Sequence, residues 1–354
     1  MLARLLQLRG LSPIVFERDE GAGERPQGGS LDLHGETGQR AMQLAHLERE
    51  FAAAARPEDQ GDRLYDVDGT LLYDRDGDGD DRPEIDRTAL RQILLDSLVP
   101  HTVRWGAKIE KVAVTSAGVE LIGEDWREQA EIVVGADGAW SRVRRLLSEA
   151  APIYEGVTLV ELDFDVTQQP EIAALTGDGK MFAVGDNQAL ITQKNGQGHI
   201  RGYVGLRTSE EAARQWLAQS PETVRAALLS HFAGWAPSLK KVIADGEFVG
   251  VRPLYALPIG HSWVSRTGVT LLGDAAHLMS PFSGEGVNLA LADAVDLADA
   301  LTSGGEWCEV GKAEVMIAAR ASVAAAGAAQ GLQGAFSSEG ASPVLEHYRE
   351  RATE

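Results

Sequence analysis

Val269-Thr-Leu-Leu-Gly-Asp-Ala-Ala-His277, with Pro281-Phe-Ser-Gly-Glu-Gly-Val-Asn288 just behind it, is the stretch that decides the fold. Val269–Leu272 reads as a buried, parallel-type strand that delivers Asp274 to its carboxyl end. Gly284 and Gly286 then let a ligand come close to the N-terminus of a helix running from about Gly286 to Leu301. Val133-Val-Gly-Ala-Asp-Gly-Ala-Trp-Ser-Arg-Val-Arg144 has the same grammar of strand, glycine turn and helix start. There Ser141 is placed as N-cap, with Arg142 and Arg144 in the first turn. At the front, Leu2, Leu5, Leu6 and Leu8 lie near helical spacing and Gly10 is placed as a C-cap. Pro13–Asp19 follows as a short buried strand. Helix, glycine, strand and then Glu17 form the second half of a βαβ dinucleotide unit. The first strand and the G-x-G-x-x-G turn of that unit do not precede it.

Between these segments the periodicity changes. Ile85–Leu98 predicts an amphipathic helix with Leu90, Ile93, Leu94 and Leu98 on one stripe, and residues 107–134 predict paired strands. Val160, Leu162, Phe164 and Val166 alternate with Glu161, Asp163 and Asp165, as on an antiparallel sheet with one wet face. Residues 183–193 and 199–206 predict further strands of that sheet, and 221–232 a helix beside it. The alanine-rich stretch 315–336 reads as helical. The expected fold class is α/β: a nucleotide-binding domain in two stretches, 1–155 and 265–303, around an antiparallel-sheet domain at 156–264. Residues 304–354 form a C-terminal helical segment. Asp74, Asp76, Asp78 and Gly79 suit the first positions of a calcium loop, but Ile85 stands where a bidentate glutamate belongs, so a solvated acidic hairpin is expected.

Composition narrows the functional classes. With 33 Lys+Arg against 53 Asp+Glu the net charge is −20, a surface that repels phosphate backbones and anionic membranes. Neither a nucleic-acid nor a membrane partner is expected. One cysteine, Cys308, excludes an intramolecular disulfide framework and a cysteine metal cage. The start lacks the apolar core of a signal peptide, and a cytoplasmic, monomeric protein is expected.

Taken together these strings resemble the flavin-dependent aromatic hydroxylases, the single-component FAD monooxygenases. GADGAWSRVR at 135–144 is similar to their DG motif, GDAAHLMSPFSGEGVN at 273–288 to their GD motif, and VFERD at 15–19 to the second strand of their FAD domain. Gly28-Gly-Ser-Leu-Asp-Leu-His34, Gly38–Met42 and Pro83–Arg87 bring the chain nearer the tetracycline-inactivating monooxygenases, whose keyword is antibiotic resistance. The resemblance covers roughly residues 1–303 and implies a Rossmann-like FAD domain.

It implies roles as well. Glu17 would take the adenosine ribose hydroxyls, Asp274 the ribityl or pyrophosphate region, and Gly284, Gly286, Val287 and Asn288 the flavin pyrimidine edge. Arg87 would be an FAD contact, while Arg25 and Asp32 would sit near the isoalloxazine. Asn187 and Arg201 are the candidates for substrate. The implied chemistry is insertion of one oxygen atom from O₂ into a small aromatic or polycyclic, enol-rich molecule through a flavin C4a-hydroperoxide, with NADPH or NADH as reductant. No nucleophilic catalytic residue and no metal are expected. Two other readings stand beside it. One is a flavin-free relative that lacks the phosphate cradle, holds FAD poorly and at most binds ligand, with 311–336 as the segment that could take the missing strand's place. The other is a flavin reductase that saturates isoprenoid bonds.

Overall fold

In the computed structural model, which describes residues 1–24, 28–77 and 81–351, helices and strands alternate first and an antiparallel sheet follows. The first stretch runs α1 (Leu2–Leu8), β1 (Val15–Phe16), β2 (Ser30–Asp32), α2 (Arg40–Leu44), α3 (Glu48–Ala54), β3 (Gly61–Tyr65) and β4 (Leu71–Arg75). It continues through β5 (Glu84–Asp86), α4 (Arg87–Asp96), β6 (Val103–Arg104), β7 (Lys111–Thr115), β8 (Gly118–Ile122), β9 (Arg127–Ala130) and β10 (Val133–Gly135). The middle holds β11 (Ile153–Asp165), α5 (Pro170–Thr176), β12 (Gly179–Gly185), β13 (Gln188–Lys194) and β14 (His199–Arg207). Then come α6 (Glu210–Leu217), α7 (Pro221–His231), α8 (Pro237–Asp245) and β15 (Glu247–Ala256). The chain returns through β16 (Val269–Leu271), α9 (Asp274–His277) and α10 (Gly286–Thr302) to α11 (Cys308–Ala335) and α12 (Ser342–Arg351).

Seven strands make the large sheet, in the order β15-β11-β14-β13-β12-β3-β4, with β12 and β3 running parallel and the other neighbours antiparallel. Its two faces are covered differently. Val160, Leu162 and Phe164 point to a face closed by Ile172, Trp216, Leu228, Phe232 and Val242 of α5–α8 and their links. Each such fully buried side chain contributes about 1.5–3 kcal/mol. Val157, Leu159, Val184 and Ile191 point to the other face, where Leu332, Ala335 and Phe336 of the α11 end pack on them. That face is apolar at one end and polar at the other, and the polar end is where the first stretch meets the sheet.

The first stretch is built around parallel pairs. β10 lies beside β16, Val133 opposite Val269 and Gly135 opposite Leu271, with Val269 and Leu271 fully buried. β1 lies beside β6 and is only two residues long, with Val15 36% exposed, so the expected buried strand at 13–19 is a short, half-covered one. It has a ladder partner on one side only among the described residues. α10 forms the spine: Leu291, Ala294, Val295 and Ala298 pack with Leu5 and Leu6 of α1 and Leu90 of α4.

Several expectations shift. The helix expected from Ile85 begins at Arg87, because Glu84–Asp86 pairs with Ser30–Asp32 as a strand. Residues 183–193 are not one strand but a hairpin, folding at Asp186 and Asn187, both at positive φ as a two-residue I′ turn requires. Glu161, expected on a wet face, is 4% exposed, since arginines and the 28–29 loop cover it. Residues 311–336 are helical and supply no strand; they belong to α11, whose Val310, Ala313 and Ile317 pack against Leu297 of α10. By length and composition alone α11 is apolar enough to cross a bilayer. Asp78 and Gly79 of the acidic loop lie outside the described residues.

Candidate functional site

The carboxyl end of β16, the N-terminus of α10 and the loop before β2 converge above the polar end of the large sheet. At the α10 entry, Gly284 takes φ +69°, which turns the chain so that Glu285 precedes the first helical residue, Gly286. A Cβ added at Gly286 would meet no atom within 4 Å, so the helix N-terminus opens onto free space. Backbone amides of the first turn and the positive end of a seventeen-residue helix dipole face that space.

Asn288, fully buried, staples this entry to the loop. Its Oδ1 accepts from the His34 amide at 2.9 Å, and its Nδ2 donates to the Asp32 carbonyl at 2.9 Å and to the Gly284 carbonyl at 3.3 Å. The Asp32 carboxylate lies beside Gly284, 3.4 Å from where a Cβ would stand. His34 bridges the same two elements through its side chain, with Nε2 at 3.2 Å from Asp32 and Nδ1 at 3.4 Å from Glu285. Burial opposes its charge, but the flanking carboxylates of Asp32 and Glu285 win and push its pKa up to about 9. For Asp32 burial alone would raise the pKa; the His34 hydrogen bond and the pull of Lys180 and His34 outweigh it and hold the group below its usual value.

Beneath the loop lies the sheet. Gly28 faces Glu161 and the Arg87 guanidinium at 3.9 and 4.0 Å from its would-be Cβ, while Gly29 faces the Tyr203 hydroxyl at 2.9 Å and Arg201 at 3.6 Å. The register explains the grouping, since Glu161 pairs with Tyr203 and Asp163 with Arg201 across β11 and β14. Glu161 is held by Arg252, whose Nε donates at 3.1 Å, and lies 3.6 Å from Arg201. The buried Nε of Arg201 has no hydrogen-bond partner among the described residues. Burial pushes the Tyr203 hydroxyl up to about 12. On the adjoining edge the Glu84 carboxylate accepts from the Ser30 hydroxyl at 2.5 Å and from the Gln193 amide at 3.1 Å; burial raises the Glu84 pKa.

Asp32, Arg87, Arg201, Gly284, Gly286 and Asn288 are therefore brought to one cleft. Val287, next to Gly286, is partly buried against the α10 core. Asp274 is exposed at the end of β16 as the first residue of α9. Its turn is braced from the DG segment, where Arg144 donates to the Ala275 carbonyl at 2.9 Å and Asp137 accepts from the Arg142 amide at 2.6 Å. Glu17 directly follows β1, its Oε1 accepting from the Asp19 amide at 3.1 Å. Asn187 is elsewhere. Its carbonyl accepts from the Arg207 amide at 3.2 Å, and its own amide donates to the Ser337 carbonyl at 3.2 Å, so it is tied to the apolar end of the sheet. Arg207 lies six residues along β14 from Arg201, roughly 20 Å at the rise of a strand. Arg25 lies outside the described residues.

His34, Glu161, Tyr203 and Glu285 belong to the cleft and are not among the residues that the sequence singles out. A signal exists for two of them. Period-2 alternation puts Glu161 on the face opposite Val160 and Leu162, and puts Tyr203 on the same face as Arg201. The His34–Glu285 bridge joins residues far apart in the chain, which no local pattern encodes.

The residues present suit a dinucleotide flavin. An open helix N-terminus and a close-approach loop suit its pyrimidine edge, and an exposed carboxylate at a strand end suits its ribityl hydroxyls. Comparison with known proteins agrees. The sequence pattern of the family described as FAD binding domain matches residues 1–306. The chain is 33% identical over 328 residues to Monooxygenase asqM of Emericella nidulans, covering 77% of this chain and 73% of that protein. It is 32% identical over 339 residues to Monooxygenase penA of Penicillium thymicola, covering 81% and 76%. Among solved structures, Klebsiella pneumoniae HpxO with FAD and uric acid superposes with a TM-score of 0.80 at 19% identity, over all of this chain and 90% of that one. Tetracycline destructase Tet(51) does so with a TM-score of 0.75 at 19% identity, over 99% and 91%. The family match over 306 residues, with the helix N-terminus in place, favours flavin binding over the flavin-free reading. The chain belongs to the FAD binding domain family and is an FAD-dependent monooxygenase.

Proposed function

We propose that this monooxygenase hydroxylates an electron-rich, enol- or phenol-bearing cyclic molecule, polycyclic as in a tetracycline, with NADPH or NADH as reductant. The observation that carries the reading is the cleft in which the 28–34 loop and the α10 N-terminus meet Glu161, Arg201 and Tyr203 of the sheet. The balance is substrate, O₂, reduced nicotinamide and a proton giving hydroxylated substrate, water and oxidised nicotinamide. Bound FAD supplies the two-electron chemistry that divides O₂ between substrate and water.

The chain's own residues bind, orient and exclude water. Asp274 accepts hydrogen bonds from the cofactor's ribityl hydroxyls, Glu17 from its ribose, and Arg87 offsets phosphate charge. The amides at Gly284–Asn288 and the α10 dipole favour negative charge at the pyrimidine edge. Arg201 donates through its guanidinium to an oxygen of the substrate, and Tyr203 and Glu161 fix its plane. The FAD part comprises 1–155 and 265–303, with the substrate part at 156–264.

Incubation of FAD-loaded protein with NADPH, O₂ and a tetracycline tests this: the product is expected to be heavier by one oxygen atom. Hydroxylation of a simple phenol, with only peroxide formed in the presence of the tetracycline, moves the chain to the general aromatic hydroxylases.

A further inference from the structure

The helix α11 lies beyond residue 306, where the family match ends, yet it grips both turns of the cofactor site. At its C-terminal half, the Ala328 carbonyl accepts from the Ser280 hydroxyl at 3.1 Å. Gly331 is so close that a Cβ there would sit 2.6 Å from the Phe282 carbonyl, and Phe336 meets the Phe282 ring edge-on at 5.6 Å. These contacts hold the Pro281–Ser283 turn that leads into Gly284.

In its middle, Arg320 reaches into α10. Its Nη2 lies 2.9 Å from Asp293 and 2.8 Å from Asp296. Asp293 is 1% exposed, and its other carboxylate oxygen accepts from the Gly273 amide at 3.0 Å and from His277 Nε2 at 2.6 Å. Gly273, at φ +59° and ψ −143°, is the residue that turns the end of β16 so that Asp274 projects. A buried carboxylate must be paired to remain an acceptor of two hydrogen bonds. Among the described residues, Arg320 is the one permanent cation within ion-pairing distance of it.

We propose that Arg320 of α11 is a positioning residue for FAD: by pairing with Asp293 it keeps that carboxylate clamped on the Gly273 amide and His277, and so fixes where Asp274 points. The inference rests on the FAD reading of the cleft. It gives α11 a role in cofactor affinity that acts through α10 and the Gly273 turn. It also accounts for a partly buried polar network between α10 and α11.

FAD titration of the purified chain, followed by quenching of flavin fluorescence, tests it. Arg320→Ala is expected to weaken FAD about tenfold, the scale of one charge-assisted hydrogen bond, while Arg320→Lys stays within about threefold. Added ethylguanidinium, which can fill the vacated space, is expected to restore most of the Arg320→Ala loss. It is expected to do nothing for Asp293→Asn, and the double variant should bind like Asp293→Asn alone. Phe164→Ala, destabilised through the opposite face of the sheet, is the control that lowers melting temperature and leaves FAD affinity unchanged. Equal FAD affinity in Arg320→Ala and wild type overturns the positioning role, as does a loss of affinity that Phe164→Ala shares. Wild-type protein that takes up no FAD overturns the cofactor reading and this role with it.

Discussion

Asp274 and His34 make opposite demands on the chain. Asp274 stands exposed at a strand end, with its neighbours' backbone braced by Arg144, so its side chain is open to solvent and the turn is held by other groups. Asp274→Ala is therefore predicted to leave the melting temperature nearly unchanged and to weaken FAD about tenfold or more, about 1.5–3 kcal/mol for a hydrogen bond to a charged acceptor. Equal FAD titrations for the two proteins would remove Asp274 from the site. His34 serves the fold instead, bridging Asp32 and Glu285. Its pKa is raised from 6.5 to about 9, so the bridge contributes in full below pH 6.5 and is lost as pH rises through 9. With partial solvent screening the loss is roughly 1–2 kcal/mol. The wild-type melting temperature should fall across that window and His34→Gln should not show this fall; parallel profiles would contradict the bridge. At Arg201 the prediction is kinetic: Arg201→Ala raises KM for substrate about tenfold with FAD affinity intact, the loss expected for one charge-assisted contact. An unchanged KM would take Arg201 out of the substrate subsite.

At the scale of elements, legibility follows how local the determining contacts are. The β16–α10 segment is readable because strand, turn and helix N-terminus are contiguous, and the structure places Asp274 and Gly286 as that reading requires. The hairpin at 186–187 reads as continuous strand, since Asp186-Asn187 lacks the Asn-Gly or Asp-Gly pair that usually marks an I′ turn. β3 and β4 give little local signal because charged and apolar residues mix without a clear alternation over 61–75, and their place beside β12 is fixed by a long-range parallel pairing, Gly61 with Gly179. Glu161 looks wet in the sequence because alternation reveals which residues share a face but not what covers it. The alternation itself is sound, and Phe164 tests it. At 1% exposure between the sheet and α5–α8, Phe164→Ala is predicted to cost about 3–5 kcal/mol, measured by urea unfolding. A cost below about 1 kcal/mol would mean that this face is not a packed core.

Across the whole molecule, two of the hydrophobic cores flank the cleft. One joins the large sheet to α5–α8, the other joins α1, α4 and α10, and neither buries the Gly286 amide end of the helix. The family is readable from motifs within residues 1–303, close to the 1–306 that the family pattern matches. What lies beyond local reading is the linkage between α11 and Asp293, formed across 27 residues by an arginine in an alanine-rich stretch with no amphipathic signature. Arg201 and Arg252 at the cleft are paired with Glu161, so the cleft gathers charges of both signs within a chain whose net charge is −20. Equilibrium dialysis of the purified chain against FAD tests the central claim most directly. The fold and cleft predict saturation at one FAD per chain, with the visible flavin spectrum travelling with the folded protein and lost on unfolding. A cooperatively folded chain that retains no FAD at micromolar concentration would contradict it.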